Sequence, residues 1–280
     1  MYSGSNFINL WFTRDKEVCE PRLIRQYMSV LAADERDRMS RFRFEKDRHQ
    51  FLVTRAALRT ILSKYQPAIA PSEWIFDKNP YGRPYICARQ NSQEMYFNLS
   101  HSKNMIVIAI SNLPQIGIDV EASDRMGSHQ DVARSFFSET EVQQMIQLST
   151  SARNDRFIDL WTLKEAYIKA CGMGLSIPLN EFSFIINSLG DIRVRFDPKR
   201  KDIPSSWNFW QILPGTEHKV AMALKSNTFA VPPNIKMMSY IPMQSQQEVL
   251  YPVGDNCLVN KFRSAQYQCT HEYEYSQEIG

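Results

Sequence analysis

The spacing of hydrophobic and polar positions changes period several times along the chain, and each change predicts an element. Residues 6–12 read as an opening strand, and residues 45–65 as a long helix on which Phe51, Leu58, Ile61, Leu62 and Tyr65 recur at helical spacing. On that helix Arg48, Arg55 and Arg59 follow at intervals of seven and four, a cationic stripe bordering the apolar face. From Trp74 onward the pattern shortens to strand-like runs at 73–77, 84–87, 95–99, 105–110 and 115–121, separated by turns such as Asn79-Pro80-Tyr81-Gly82 and Asn112-Leu113-Pro114. This order predicts an α/β lobe ending on an apolar strand.

Similar ingredients then repeat. Helical stretches at 129–149 and 153–171 are expected, the latter burying Phe157, Leu160, Trp161 and Ile168 and stopping at Gly172-Met173-Gly174. Strands at 182–187, 191–196, 207–213 and 218–224 follow, the first two joined by a Ser188-Leu189-Gly190-Asp191 turn. From Pro232 the pattern fades into residues rich in Gln, Ser and Tyr. The expected organisation is α+β: an N-terminal lobe over 1–121, a C-terminal lobe over 122–231, and a polar, partly disordered tail over 232–280.

Composition narrows the function. In 280 residues, 33 basic against 30 acidic side chains leave a net charge of +3, too balanced for a nonspecific nucleic-acid binder. Between Asp34 and Lys64, however, nine Lys/Arg face five Asp/Glu, a local basic surface suited to something anionic. The five cysteines are widely spaced with no C-x-x-C pair, which favours free thiols in a reducing compartment. The N-terminal apolar run is too short for a signal peptide, and no apolar stretch approaches the length needed to span a bilayer, so a soluble cytoplasmic protein without membrane contact is expected.

Five segments carry chemistry. In Ile116-Gly117-Ile118-Asp119-Val120-Glu121, Asp119 and Glu121 project from one face of a strand. Two carboxylates that close repel unless a cation or proton lies between them, and oxygen ligands of this kind suit Mg²⁺; an exposed acidic strand end is the plainer reading. In Trp161-Thr162-Leu163-Lys164-Glu165-Ala166-Tyr167-Ile168-Lys169, Glu165 and Lys169 have the spacing of a surface ion pair, yet Glu165 lies beside the buried stripe, where an acid needs a partner such as a shared metal. Asn98-Leu99-Ser100-His101-Ser102, expected in a loop between strands, can turn hydroxyls, an imidazole and N–H groups onto a phosphate; its Ser-His pair also admits a hydrolase, although the G-x-S-x-G elbow is missing. Upstream, Gly82-Arg83-Pro84 presents a guanidinium from a rigid turn. Finally, Ser138 with Glu141 forms a capping box, compatible with a supporting role of Glu141 near the metal.

Taken in order, Gly82-Arg83-Pro84, Asn98-Leu99-Ser100-His101-Ser102, Ile116-Gly117-Ile118-Asp119-Val120-Glu121, Phe136-Phe137-Ser138-x-x-Glu141 and Trp161-x-x-Lys164-Glu165-Ala166-x-x-Lys169 resemble the 4′-phosphopantetheinyl transferases of the broad, surfactin-synthetase-activating (Sfp) type, over about residues 5–225. The resemblance implies a monomer of two pseudo-symmetric α/β lobes with coenzyme A in the cleft between them, acting on a serine of apo acyl- or peptidyl-carrier proteins of fatty acid, polyketide or nonribosomal peptide synthesis. It implies Mg²⁺ on Asp119, Glu121 and Glu165. Ser100, His101, Arg83 and Arg55 would contact the phosphates of coenzyme A, with Lys164 and Lys169 reaching in from the second lobe and Arg38 near the 3′-phosphate. Glu165 is the expected proton acceptor, with Glu141 or a metal-bound water as alternatives. Two positions depart from the family type: Glu35 stands where Lys is expected in the first basic position, and Arg83 where Lys is also common. A noncatalytic paralogue that binds carrier protein or coenzyme A is the competing reading.

Overall fold

The computed structural model describes residues 6–124, 129–187, 190–226 and 233–255. Its first sheet is built around β1 (Phe7–Arg14), which pairs antiparallel with β5 (Met105–Ser111); β5 in turn carries β4 (Tyr96–Ser102). Alternation along β1 decides the layering. Phe7 and Trp11 pack toward α1 (Pro21–Val30) and α3 (Glu45–Tyr65), whereas Ile8, Leu10 and Phe12 join the core on the other side of the sheet. Before α3 lies the short α2 (Ala33–Ser40); after it comes the hairpin β2 (Phe76–Lys78) and β3 (Pro84–Ile86).

The second sheet contains β6 (Ile116–Ala122), β9 (Trp207–Ile212) and β10 (His218–Lys225), with β10 between the other two. Ile116, Ile118 and Val120 of β6 face the first sheet and share one core with Ile8, Leu10 and Phe12. The opposite face of β6 packs on α6 (Thr150–Cys171), preceded by α4 (His129–Phe136) and α5 (Glu139–Ile146) and followed by the hairpin β7 (Phe182–Ile186) and β8 (Ile192–Phe196). The result is four layers, helix, sheet, sheet, helix, with two α/β halves back to back. The expected helix over 129–149 is interrupted because Ser138 accepts from the Glu141 N–H and caps a new helix. Gly172 ends α6 at φ 72°, where its N–H reaches back to Ile168 O and Lys169 O; a residue without Cβ adopts this left-handed turn freely.

Two expectations about organisation change. β6, read as the end of the first lobe, pairs with β10 and belongs to the second sheet. The segment after Pro232, read as a polar tail, supplies β11 (Asn234–Ile241), β12 (Ser245–Glu248) and β13 (Val253–Asp255). β11 runs parallel to β1 from Phe7↔Asn234 to Phe12↔Ser239, so β1 is an interior strand only because β11 is present. Tyr240 is buried against Trp11, donates its hydroxyl to Thr60 Oγ1 at 3.0 Å, and accepts at its carbonyl from Thr13 Oγ1 at 2.8 Å. β13 adds to the other sheet beside β9. The rest of the expected tail, 256–280, lies outside the described residues.

Candidate active site

β4 and β6 belong to different sheets, yet they run side by side and three β4 side chains at period two join them. Asn98 Oδ1 accepts from Ile118 N at 2.9 Å, Ser100 Oγ donates to Asp119 Oδ1 at 2.8 Å, and Ser102 Oγ donates to Glu121 Oε2 at 3.0 Å. The motif expected in a loop is therefore strand, and its alternation separates Ser100 from His101. Ser100 turns to β6; His101 turns to the opposite face, with Leu99, into a groove under α3. Consecutive residues on opposite faces cannot share a proton, so the Ser100–His101 hydrolase dyad is not formed.

Asp119 is the centre of the β6 group. Its Oδ1 also accepts from Lys169 Nζ at 2.7 Å, and Lys169 donates to Ser100 Oγ at 2.8 Å. Its Oδ2 is buried with no hydrogen-bond partner, a costly state for a carboxylate oxygen that has no ligand. Glu121 is the next residue on the same face. Two hard oxygen donors, one carrying an unused buried lone pair, fit a Mg²⁺ that completes its shell with water and substrate phosphate. Glu165 is half-buried on α6, one turn before Lys169, and among the described residues no group of three His, Cys, Asp or Glu side chains is gathered for a metal. The group beside Asp119 is the ammonium of Lys169.

Close contact between β6 and α6 makes this group possible. At Gly117 a Cβ would lie 2.1 Å from Ala166 O and 2.4 Å from Ala170 N, so the helix backbone rests directly on the strand. Only glycine allows that approach.

The groove under α3 has a volume of about 970 Å³, and its walls include Arg38, Arg41, Arg55, Phe76, Leu99 and His101. Its floor is a charge cluster that the sequence did not reveal. Glu35 accepts from Arg55 Nε at 2.5 Å and from Arg59 Nε at 2.8 Å, and both guanidiniums lie over Phe76 at 4.6 and 5.3 Å from the ring centre. Burial works against the Glu35 charge, but Arg55 and Arg59 outweigh it and hold its pKa below the ordinary glutamate value. Glu35 also takes Nη2 of Arg55. Arg38 and Arg41 stand exposed at the rim. Burial, followed by the neighbouring Lys169, pushes the His101 pKa down, so the imidazole is neutral at pH 7.

Three expected site residues are elsewhere. Lys164 is fully buried, and its three N–H groups are spent on Leu179 O and Phe182 O, both at 2.7 Å, and on Glu141 Oε2 at 2.9 Å. It cannot reach a phosphate in the groove. Glu141 is equally buried; beyond Lys164, its Oε2 accepts from Ser138 N and Oγ and its Oε1 from Phe184 N at 2.8 Å. A carboxylate so saturated is a structural anchor, and the capping box holds while the catalytic role does not. Arg83 gives Nη1 to Ala170 O at 3.0 Å and Nη2 to Ile116 O at 2.9 Å, so its fork is turned onto backbone carbonyls.

A groove with cationic walls on one face of β4, and a carboxylate pair with a lysine against its other face, make an arrangement that can receive a large phosphorylated ligand. The family models agree: residues 20–113 match the 4′-phosphopantetheinyl transferase N-terminal model and residues 115–224 the 4′-phosphopantetheinyl transferase superfamily model. The chain is 29% identical over 215 residues to the 4′-phosphopantetheinyl transferase Sfp of Bacillus subtilis, covering 77% of this chain and 90% of that protein. It is 30% identical to the 4′-phosphopantetheinyl transferase ffp of Bacillus subtilis, covering 76% and 89% of the two chains, and 30% identical to the 4′-phosphopantetheinyl transferase HetI of a Nostoc species, covering 70% and 79%. The chain belongs to the 4′-phosphopantetheinyl transferase superfamily. Among the described residues no helix is long and apolar enough to cross a membrane.

Proposed function

We propose that the protein moves the 4′-phosphopantetheine arm of coenzyme A onto a serine of apo acyl- or peptidyl-carrier proteins, with Mg²⁺ on Asp119 and Glu121, and releases 3′,5′-ADP. The observation that carries the metal assignment is the buried, unpartnered Oδ2 of Asp119, one residue pair from Glu121 on the same face of β6. Mg²⁺ bound there supplies charge neutralisation for the pyrophosphate of coenzyme A. Arg38, Arg55 and His101 face the groove and receive the nucleotide phosphates, and the neutral imidazole donates one hydrogen bond. Lys169, already bridging Ser100 and Asp119, holds its ammonium where negative charge grows on the phosphoryl oxygens as the serine oxygen forms its bond to phosphorus and the bond to the leaving 3′,5′-ADP breaks. Glu165, half-buried one helical turn away, takes the serine proton. A monomer in the reducing cytoplasm is part of the same proposal, consistent with free thiols at Cys19, Cys87 and Cys171.

Mass spectrometry of an apo carrier protein incubated with the enzyme, coenzyme A and Mg²⁺ tests the reaction. The expected gain is one phosphopantetheine. Asp119→Asn should lower turnover by about 10²-fold or more, given that metal-based stabilisation supplies several kcal/mol, and should also remove the Mg²⁺-dependent rise in melting temperature. Wild-type turnover that survives exhaustive chelation, or a variant that keeps both properties, would overturn the metal assignment; absence of any transfer by the wild type would favour a binding module.

A further inference from the structure

The parts of the site ride on separate elements: Asp119 and Glu121 on β6, Lys169 and Glu165 on α6. A third element touches both. In the β2–β3 turn, Asn79 Oδ1 accepts from the N–H groups of Tyr81 at 3.0 Å and Arg83 at 2.9 Å, and Asn79 N donates to Arg83 O at 3.0 Å; Gly82 supplies the left-handed residue at φ 86°. From this fixed turn Asn79 Nδ2 donates to Gly172 O at 2.6 Å, while Arg83 donates Nη1 to Ala170 O and Nη2 to Ile116 O. Ala170 O and Gly172 O are at the end of α6, where helix carbonyls lack an intrahelical partner and the helix dipole is negative. Ile116 is the first residue of β6. The fit is tight: a Cβ on Gly172 would lie 3.1 Å from Arg83 Cδ and 3.3 Å from Asn79 Nδ2. Half of the join comes from the first lobe and half from the second.

We propose that Arg83 is a positioning residue: its guanidinium, carried on a turn whose backbone Asn79 holds, clasps the start of β6 to the end of α6 and so sets Lys169 against Asp119, in place of a direct contact with coenzyme A. Two carbonyls on two elements need two N–H groups at a fixed angle. A guanidinium has that fork; an ammonium on a flexible stem does not. Arg83 is next to a smaller cavity of about 250 Å³ that Lys169 also lines, so slackening the clasp moves the wall of the site as well as its lysine.

The inference rests on the transfer reaction proposed above, and the test compares wild type, Arg83→Lys and Arg83→Gln by kcat, KM for coenzyme A, affinity for 3′,5′-ADP without carrier protein, and melting temperature. Arg83→Lys should lower kcat about 10- to 100-fold, as expected for a sub-ångström to 1 Å displacement of reacting groups, while KM for coenzyme A and 3′,5′-ADP affinity stay within about twofold. Asn79→Ala should shift the same quantities in the same sense, and it carries the test if Arg83→Gln does not fold. Normal kcat in Arg83→Lys, with raised KM and weakened 3′,5′-ADP binding in Arg83→Gln, would make Arg83 a phosphate ligand and overturn the proposal. A lower melting temperature with unchanged kcat per folded molecule would overturn it too, leaving only an architectural bond. Absence of product in every arm, wild type included, would remove the transferase reading and the clasp's role with it.

Discussion

Gly117→Ala isolates what the close approach of α6 to β6 contributes. The added Cβ would sit 2.1 Å from Ala166 O, 2.4 Å from Ala170 N and 2.9 Å from Ala170 Cα, against ordinary contact that begins at 3.4 Å. All three atoms are backbone, so no rotamer change makes room and the helix must withdraw by about 1 Å. Overpacking of this kind costs about 1–3 kcal/mol, which for a chain of this size lowers the melting temperature by several degrees. The kinetic effect should be larger. Lys169 and Glu165 move with α6 while Asp119 and Glu121 stay on β6, and a displacement of about 1 Å between reacting groups costs about 10²-fold in rate. Initial rates of carrier-protein modification with saturating coenzyme A, set beside thermal melts, measure both. Because the obstructing atoms are backbone, Ala170→Gly should not rescue the variant. Near-wild-type kcat, or rescue by Ala170→Gly, would refute the reasoning.

Truncation after Pro232 should abolish folded soluble protein, because it strips β11 from β1 and removes Tyr240 from the core; circular dichroism and yield check this, and an active truncated enzyme would return the segment to the status of a tail. Glu35 has a folded pKa below its unfolded value, so its contribution to stability is complete above the ordinary value of 4.5 and is lost as pH falls through the folded one; Glu35→Gln should flatten the acid side of the melting-temperature profile, and an unchanged acid slope would deny the cluster that role. Glu141→Ala strands the Lys164 ammonium in the core and should cost about 3–5 kcal/mol while the folded fraction keeps its kcat; a large fall in kcat without destabilisation would restore Glu141 as a catalytic group.

What the sequence reveals depends on how local the cause is. α3 was legible to both ends because Phe51, Leu58, Ile61, Leu62 and Tyr65 recur at helical spacing within its 21 residues, although in the structure burial runs almost unbroken from Leu52 to Leu62. α2 was not, since ADERDRMS buries only Glu35, and that burial depends on Arg55 and Arg59, 20 and 24 positions away. β4 passed for a loop at Ser100–Ser102 because both its faces carry polar groups there, one toward β6 and one toward the groove. β11 escaped because its partner β1 lies more than 200 residues upstream and its apolar residues are mixed with polar ones. In the site, period two placed Asp119 and Glu121 on one face correctly. The lysines of α6 were a different matter, although geometry could have separated them: five residues at about 100° each leave Lys164 and Lys169 some 140° apart around the helix. One can face β4 and β6 only if the other faces the interior.

The division of β4 between two environments also explains why the site does not need a mobile loop to couple its halves. Leu99 and His101 line the groove, while Asn98, Ser100 and Ser102 bond, in register, to Ile118, Asp119 and Glu121. Were a ligand phosphate to bind at His101, as proposed, it would act on the strand whose preceding residue, Ser100, holds Asp119, within one peptide unit and without an intervening turn. Asp119 in turn shares Oδ1 between Ser100 and Lys169, so its orientation is fixed from β4 and from α6 at once, and only Oδ2 is left to a further partner. Such double fixation is what electrostatic stabilisation of phosphoryl transfer requires, because dipoles and charges already in place need not reorganise as negative charge develops. It also places the tolerance of the site in the groove rather than at the carboxylates: the rim cations Arg38 and Arg41 are exposed and can adjust to the ligand, whereas Asp119 has no freedom to follow.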